Sequence, residues 1–274
     1  MREEKIASAH PVSESMRATI LRTLREIESD QDVAVLFACE SGSRGWGFAS
    51  PDSDYDVRFI YARRLERYLT LEPVRDVIEQ PVSGELDVNG WDLRKALQLL
   101  RDSNPTLLEW LRSPVVYTQH EVFAQRLRAL AEGGFSPVRG YHHYVSMARK
   151  NVREHLTGEV VRHKKYLAVL RPLLAARWIR EQRGAPPMRF AELAEATLDD
   201  PTLIGEINAL LAVKMRAGEA STSPRREVLH AFIERELEAA QASVIVESHR
   251  MDSRELDRLL RDAVMHFEAA AAAW

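Results

Sequence analysis

Residues Val33–Cys39, VAVLFAC, form an unbroken apolar run bounded by Asp32 and by the turn signal Ser41-Gly42-Ser43. A run this short, carrying two β-branched valines, reads as a strand buried on both faces rather than as a helix. A helical pattern precedes it, with Met16, Ile20, Leu24 and Ile27 at helical spacing across Ser13–Ile27. After it, Asp54–Ala62 (DYDVRFIYA) alternates with period two and reads as a second strand, and Glu85–Val88 as a brief third. Leu93–Leu100 starts a helix that Asp92 is placed to cap. Helix, three strands and helix in this order predict a mixed α/β layer.

Beyond about residue 120 the strand signals stop. Gly140–His155, His163–Arg183, Arg225–Glu247 and Ser253–Ala273 all read as helices. Pro172 predicts a kink or break inside the second of these, and Pro224 fits a first helical position after Ser223. Asp252 and Glu255 resemble a capping box. The expectation is an α/β domain over residues 1–120 and an all-helical domain over residues 121–274, with Gly133-Gly134 as the candidate hinge. A length of 274 residues accommodates two domains or one large one.

The segment Gly42–Phe59, GSRGWGFASPDSDYDVRF, carries the chemistry. Asp54 and Asp56 lie two apart on a strand and project to one face, while Tyr55 and Val57 point to the other. Two neighbouring carboxylates repel, so the pair calls for a cation, and Mg²⁺ is commonly held by one or two carboxylates together with substrate phosphates. Gly42-Ser43 can bring backbone N–H groups and a hydroxyl to a phosphate. Asp87, flanked by Leu86 and Val88, is the natural third acid; Glu85 shares its strand face, and Asp92 lies nearby as a helix cap. Three acids, two metals and a triphosphate make an arrangement for in-line displacement at phosphorus.

In this order the residues resemble the DNA polymerase β-like nucleotidyltransferase superfamily. More narrowly, GSRGWGFASPDSDYDVRFIY followed by LDVNGWDLRKAL looks like the bacterial and phage predicted nucleotidyltransferase branch, the RNA-ligase-associated polymerase type. The resemblance is strong through Cys39–Leu100 and continues more weakly into His163–Ile179. It implies an α/β nucleotidyltransferase core followed by a helical domain, and Gly42 and Ser43 as the phosphate-gripping turn. It makes Asp54, Asp56 and Asp87 the ligands of two Mg²⁺ ions (Mn²⁺ is an alternative), with Asp87 receiving the nucleophile's proton. Arg44 and Arg58 become phosphate-binding or site-ordering groups, and Lys164 and Lys165 reach the triphosphate. The implied substrate is a nucleoside triphosphate such as ATP, and the implied acceptor an RNA 3′ end, in tRNA or in RNA repair. The alternatives are a protein or small-molecule acceptor, or a catalytically silent nucleotide-binding regulator; the full set of Gly-Ser and three aspartates argues against the last.

Charge adds an independent sign. Arg139–Arg189 holds twelve Lys and Arg against three acids, a local excess of nine in a chain of net charge −3. Such a block suits an anionic ligand or a solvated helix face. The single Cys39 excludes an intramolecular disulfide, and neither a P-loop nor a GxGxxG motif is present. MREEKIASAHPV lacks an apolar signal core and no apolar run is long enough for a bilayer, so a cytoplasmic protein with no membrane partner is expected. His142-His143 reads as a surface or packing pair, and Trp46, Trp91, Trp110 and Trp178 as core residues, with Trp46 and Trp91 adjoining the site.

Overall fold

The structure is a computed structural model and describes residues 11–217, 221–247 and 251–272. Two compact units result, and neither is one stretch of chain. One comprises residues 12–42, 54–134 and 251–272; the other comprises residues 43–53 and 135–247. The terminal helix therefore belongs with the sheet, and the segment between the first two strands belongs with the helices. The Gly133-Gly134 pair lies where one unit ends.

The elements run α1 (Glu14–Gln31), β1 (Val33–Glu40), α2 (Gly42–Trp46), β2 (Tyr55–Arg63), α3 (Leu65–Tyr68), β3 (Val77–Glu79), β4 (Leu86–Asp92), α4 (Leu93–Arg101), α5 (Pro105–Leu111), β5 (Val116–Gln119) and α6 (Glu121–Gly133). They continue with α7 (Pro137–His155), β6 (Val160–Arg162), α8 (His163–Arg180), α9 (Phe190–Thr197), α10 (Pro201–Ala217), β7 (Thr222–Pro224), α11 (Glu227–Ala242) and α12 (Ser253–Ala272). The five-stranded sheet has the order β3-β4-β2-β1-β5. Only β2 and β4 pair in parallel, which the crossover through α3 and β3 permits; the other pairings are antiparallel.

The Ser13 hydroxyl caps α1, which lays Ile20, Leu24 and Ile27 on Val57, Phe59, Tyr61 and Val88 of the sheet. Because β2 alternates, burying Val57, Phe59 and Tyr61 on this core leaves Asp56 and Arg58 on the opposite face. Helices α4 and α12 pack against β2. Asp92 caps α4 by accepting the Arg94 N–H at 2.8 Å. Burial pushes its carboxyl above the ordinary carboxylate range, against the lowering effects of that N–H, the Tyr68 hydroxyl and Arg63.

The second unit departs from the sequence reading: helices α9 and α10 lie outside the expected ones, and α11 ends at Ala242 rather than Glu247. Strands do occur after residue 120: β6 and β7 form a two-stranded ribbon, too short to announce itself by alternation. Pro224 closes β7 instead of opening a helix, and α11 begins at Glu227. Helix α8 runs through Pro172 without ending. Proline removes the N–H that would bond the Ala168 carbonyl four residues back. The Asn151 side chain on α7 supplies the missing donor, with Nδ2 2.7 Å from that oxygen.

This substitution of donors is testable. Asn151→Ala should destabilise the protein by about 1–2 kcal/mol, since it leaves a partly buried acceptor unsatisfied. In a Pro172→Ala background the helix provides its own donor, and the same change should cost under about 1 kcal/mol. A double-mutant cycle in urea reads the difference.

Candidate active site

The parallel register sets Asp56 opposite Asp87 and Arg58 opposite Asn89. Both carboxylates meet the same guanidinium: Arg58 Nη2 donates to Asp56 Oδ1 at 2.9 Å and to Asp87 Oδ2 at 2.7 Å. Its Nη1 donates to the carbonyls of Val57 and Asp87, both at 3.1 Å. Arg58 thus brings a positive charge to Asp56 and Asp87 from within β2. The group is only partly buried, with side-chain exposures of 18% for Arg58, 26% for Asp56 and 37% for Asp87, so it stays open to solvent and ligand.

Gly42 completes this side of the site. It has φ +55°, a left-handed conformation that favours glycine. A Cβ built there would stand 1.9 Å from Asp56 Oδ2, so the Asp56 carboxylate lies directly against its backbone. Gly42 opens the short helix α2 rather than a simple tight turn. The Ser41 N–H donates to the Asp56 carbonyl at 2.8 Å and ties the turn to β2. Asp54 is exposed just before β2, and Glu85 is exposed just before β4.

The structure thus brings together Gly42, Asp56, Arg58 and Asp87, with Asp54 at the head of the same strand. Ser43, Arg44, Lys164 and Lys165 belong to the other unit. There Arg44 is buried and donates to the Ser53 carbonyl at 2.8 Å, which orders the 44–53 segment. Lys165 Nζ lies 3.1 Å from His155 Nε2, and Lys164 occupies the first turn of α8. Trp91 stacks on Trp110 with centroids 3.9 Å apart, and the Arg171 guanidinium covers the Trp46 ring at 4.8 Å. His142 and His143 are exposed on α7. Among the described residues no three His, Cys, Asp or Glu side chains form a ready set of metal ligands; what converges is the pair Asp56 and Asp87 around Arg58.

A family model described as the RNA repair pathway DNA polymerase beta family matches residues 16–262. The chain belongs to that family. It is also 44% identical over 251 residues to the uncharacterized protein YcgL of Bacillus subtilis (strain 168), covering 91% of this chain and 96% of that protein. A solved nucleotidyltransferase-like protein from Exiguobacterium sibiricum 255-15 aligns with 12% identity and a TM-score of 0.30, over 89% of this chain and 75% of that one. Membership in the polymerase beta family bears out the resemblance of the Gly42–Phe59 and Leu86–Leu97 segments. No helix among the described residues is long and apolar enough to cross a membrane.

Two residues that support the site in this polymerase beta family member escape sequence reading. Glu40, fully buried at the end of β1, accepts the Asp56 N–H at 2.9 Å on Oε1 and the Tyr117 hydroxyl on Oε2. Burial and the adjacent carboxylate push the Tyr117 phenol well above its ordinary range, so it remains a donor. Lys214, 1% exposed on α10, donates to Ser50 Oγ at 2.9 Å and Ser53 Oγ at 3.0 Å, pinning the segment that leads into Asp54. Glu40 ends an apolar run and Lys214 interrupts another, ALLAVKM; a charge set in such a run is the signal that marks each.

Glu40→Gln should replace two charge-assisted hydrogen bonds by neutral ones, with Oε1 still accepting the Asp56 N–H and Nε2 donating to a reoriented Tyr117 hydroxyl. A loss of about 1–3 kcal/mol in urea unfolding is expected. Tyr117→Phe removes a donor at the same time, and in that background the loss from Glu40→Gln should shrink.

Proposed function

We propose that this protein is a Mg²⁺-dependent nucleotidyltransferase that moves a nucleoside monophosphate from a nucleoside triphosphate to the 3′ hydroxyl of an RNA. The observation that carries this reading is the in-register pair Asp56 and Asp87, joined by Arg58 and set against the Gly42 backbone. Its RNA element is favoured by the family, whose description places it in RNA repair. The chemistry of the donors suits the metal: Asp56 and Asp87 offer hard carboxylate oxygens of the kind Mg²⁺ takes, with water and phosphate oxygens filling the remaining positions. Asp54, Asp56 and Asp87 would hold it, and the bound ions would neutralise developing phosphoryl charge and lower the pKa of the attacking hydroxyl.

The chain's own residues divide the remaining work. Gly42, having no Cβ, makes room for the Asp56 carboxylate directly against its backbone and so fixes where that acid stands. The family resemblance assigns a hydroxyl, Ser43, and two cations, Lys164 and Lys165, to the triphosphate; all three belong to the other unit. Asp87 takes the proton of the acceptor hydroxyl at its carboxylate as the new P–O bond forms and pyrophosphate leaves. Arg58 holds Asp56 and Asp87 at a common position and so orients the acid that accepts the proton. Arg44, buried on the Ser53 carbonyl, acts on site order rather than on phosphate.

Incubation with Mg²⁺, each α-labelled nucleoside triphosphate, and either total RNA or a protein extract tests the assignment. Label should enter RNA 3′ ends and disappear when metal is chelated. Asp54→Asn, Asp56→Asn and Asp87→Asn should each lower turnover at least about 100-fold, the scale expected when a charge-stabilising group is lost. Asp92→Asn should retain activity, since asparagine also caps helices well. Unfolding temperatures of the three site variants should stay within a few degrees of wild type, because asparagine keeps an acceptor for Arg58. Label entering protein instead of RNA, or full activity in Asp87→Asn, would refute the reading.

A further inference from the structure

Helix α7 has two unlike faces. Tyr141, Tyr144, Val145 and Ala148 are buried, and at about 100° per residue they share one side. The opposite side is exposed and carries Arg139, His142, Ser146, Arg149, Lys150 and Arg153. From Arg139 to Arg153 this ridge is about 21 Å long, at about 1.5 Å per residue. Arg149 and Arg153 repeat after one turn, close to the reach between neighbouring phosphates on a strand.

Three observations separate the ridge from an ordinary solvated face. Acids outnumber bases in the chain, 41 to 38, and basic side chains elsewhere are commonly paired, as in Arg64–Asp32, Lys95–Asp76, Arg126–Asp262 and Arg180–Glu236. On α7 the only acid is Glu154, 3.9 Å from Lys150, and Arg149 and Arg153 have no acidic partner among the described residues. No large apolar side chain is exposed on this helix. A protein partner normally needs an apolar anchor at the centre of its interface, so a surface built of charge alone fits a polyanion. The ridge is also too long for a single triphosphate. Arg171, by contrast, is buried against Trp46 and the Met188 carbonyl and is not available to such a ligand.

We propose that the exposed face of α7 is the surface on which the phosphate backbone of the acceptor RNA docks, a proposal that rests on the RNA reading given above. Each Arg or Lys that meets a phosphate releases a counterion, so RNA affinity should fall steeply with salt, by about 0.7 in logarithmic slope per contact for a single strand. The probe is a fluorescent single-stranded RNA, with anisotropy measured between about 50 and 200 mM salt. The combined variant Arg149→Ala, Lys150→Ala, Arg153→Ala should lose about two units of slope. Alanine favours exposed helix, so the variant should fold. A control variant with equal charge loss, Arg22→Ala, Arg25→Ala, Arg258→Ala, should keep the wild-type slope, and so should the charge-conserving Arg149→Lys, Arg153→Lys. An unchanged slope in the α7 variant, an equal loss in the control, or displacement of RNA by polyglutamate of matched charge would overturn the proposal. Transfer of label to RNA by wild type is scored separately. RNA labelling with an unchanged slope removes α7 and leaves the function standing; label in protein with a shallow wild-type slope removes both.

Discussion

The pairing of β2 with β4 is what the candidate site depends on. In a parallel pair, residues opposite each other project to the same face, so the register that sets Asp56 beside Asp87 also sets Val57 beside Val88 on the core. A slip of β4 by one residue would send the Asp87 carboxylate toward the α1-covered core and Val88 to the opposite face. The apolar side of the sheet therefore specifies the geometry of the polar side. Arg58 makes the result tolerable, because one guanidinium answers both carboxylates and two backbone carbonyls.

Buried polar groups then act as fasteners where apolar packing cannot choose a conformation. Glu40 ties the end of β1 to the backbone of β2 at Asp56 and to Tyr117 on β5. Lys214 ties Ser50 to Ser53, and Arg44 holds the Ser53 carbonyl, so the stretch entering Asp54 is pinned within its own unit. Asn151 answers the carbonyl orphaned by Pro172 and keeps α8 continuous. Each satisfies a group that would otherwise be costly to bury.

The charge pattern of the chain takes on meaning only when exposure is added. The excess of bases across Arg139–Arg189 is a property of composition. Folding divides it: Arg171 goes inside, Arg177 and Arg180 close on buried Glu236, and the α7 residues stay outside. What remains for a polyanion is a narrower set than the sequence count implies.

Local patterns determined much of this protein. The apolar run Val33–Cys39, the alternation across Asp54–Ala62 and the cap at Asp92 were legible because burial, strand pleat and capping leave period and composition marks over a few residues. Motif order alone also pointed to the family later matched over residues 16–262. Tertiary structure decided what depends on partners distant in sequence. Strands β3, β5, β6 and β7 are three or four residues long and exist because a neighbouring strand supplies their hydrogen bonds. Pro172 stays helical because Asn151 lies across from it. The grouping of α12 with the sheet, and of residues 43–53 with the helices, follows from packing between segments far apart in the chain, which no local period records. The partner of Asp56 and Asp87 is of the same kind: the sequence reads a need for a cation from Asp54 and Asp56, whereas the meeting of Asp56, Asp87 and Arg58 required the register of β2 against β4.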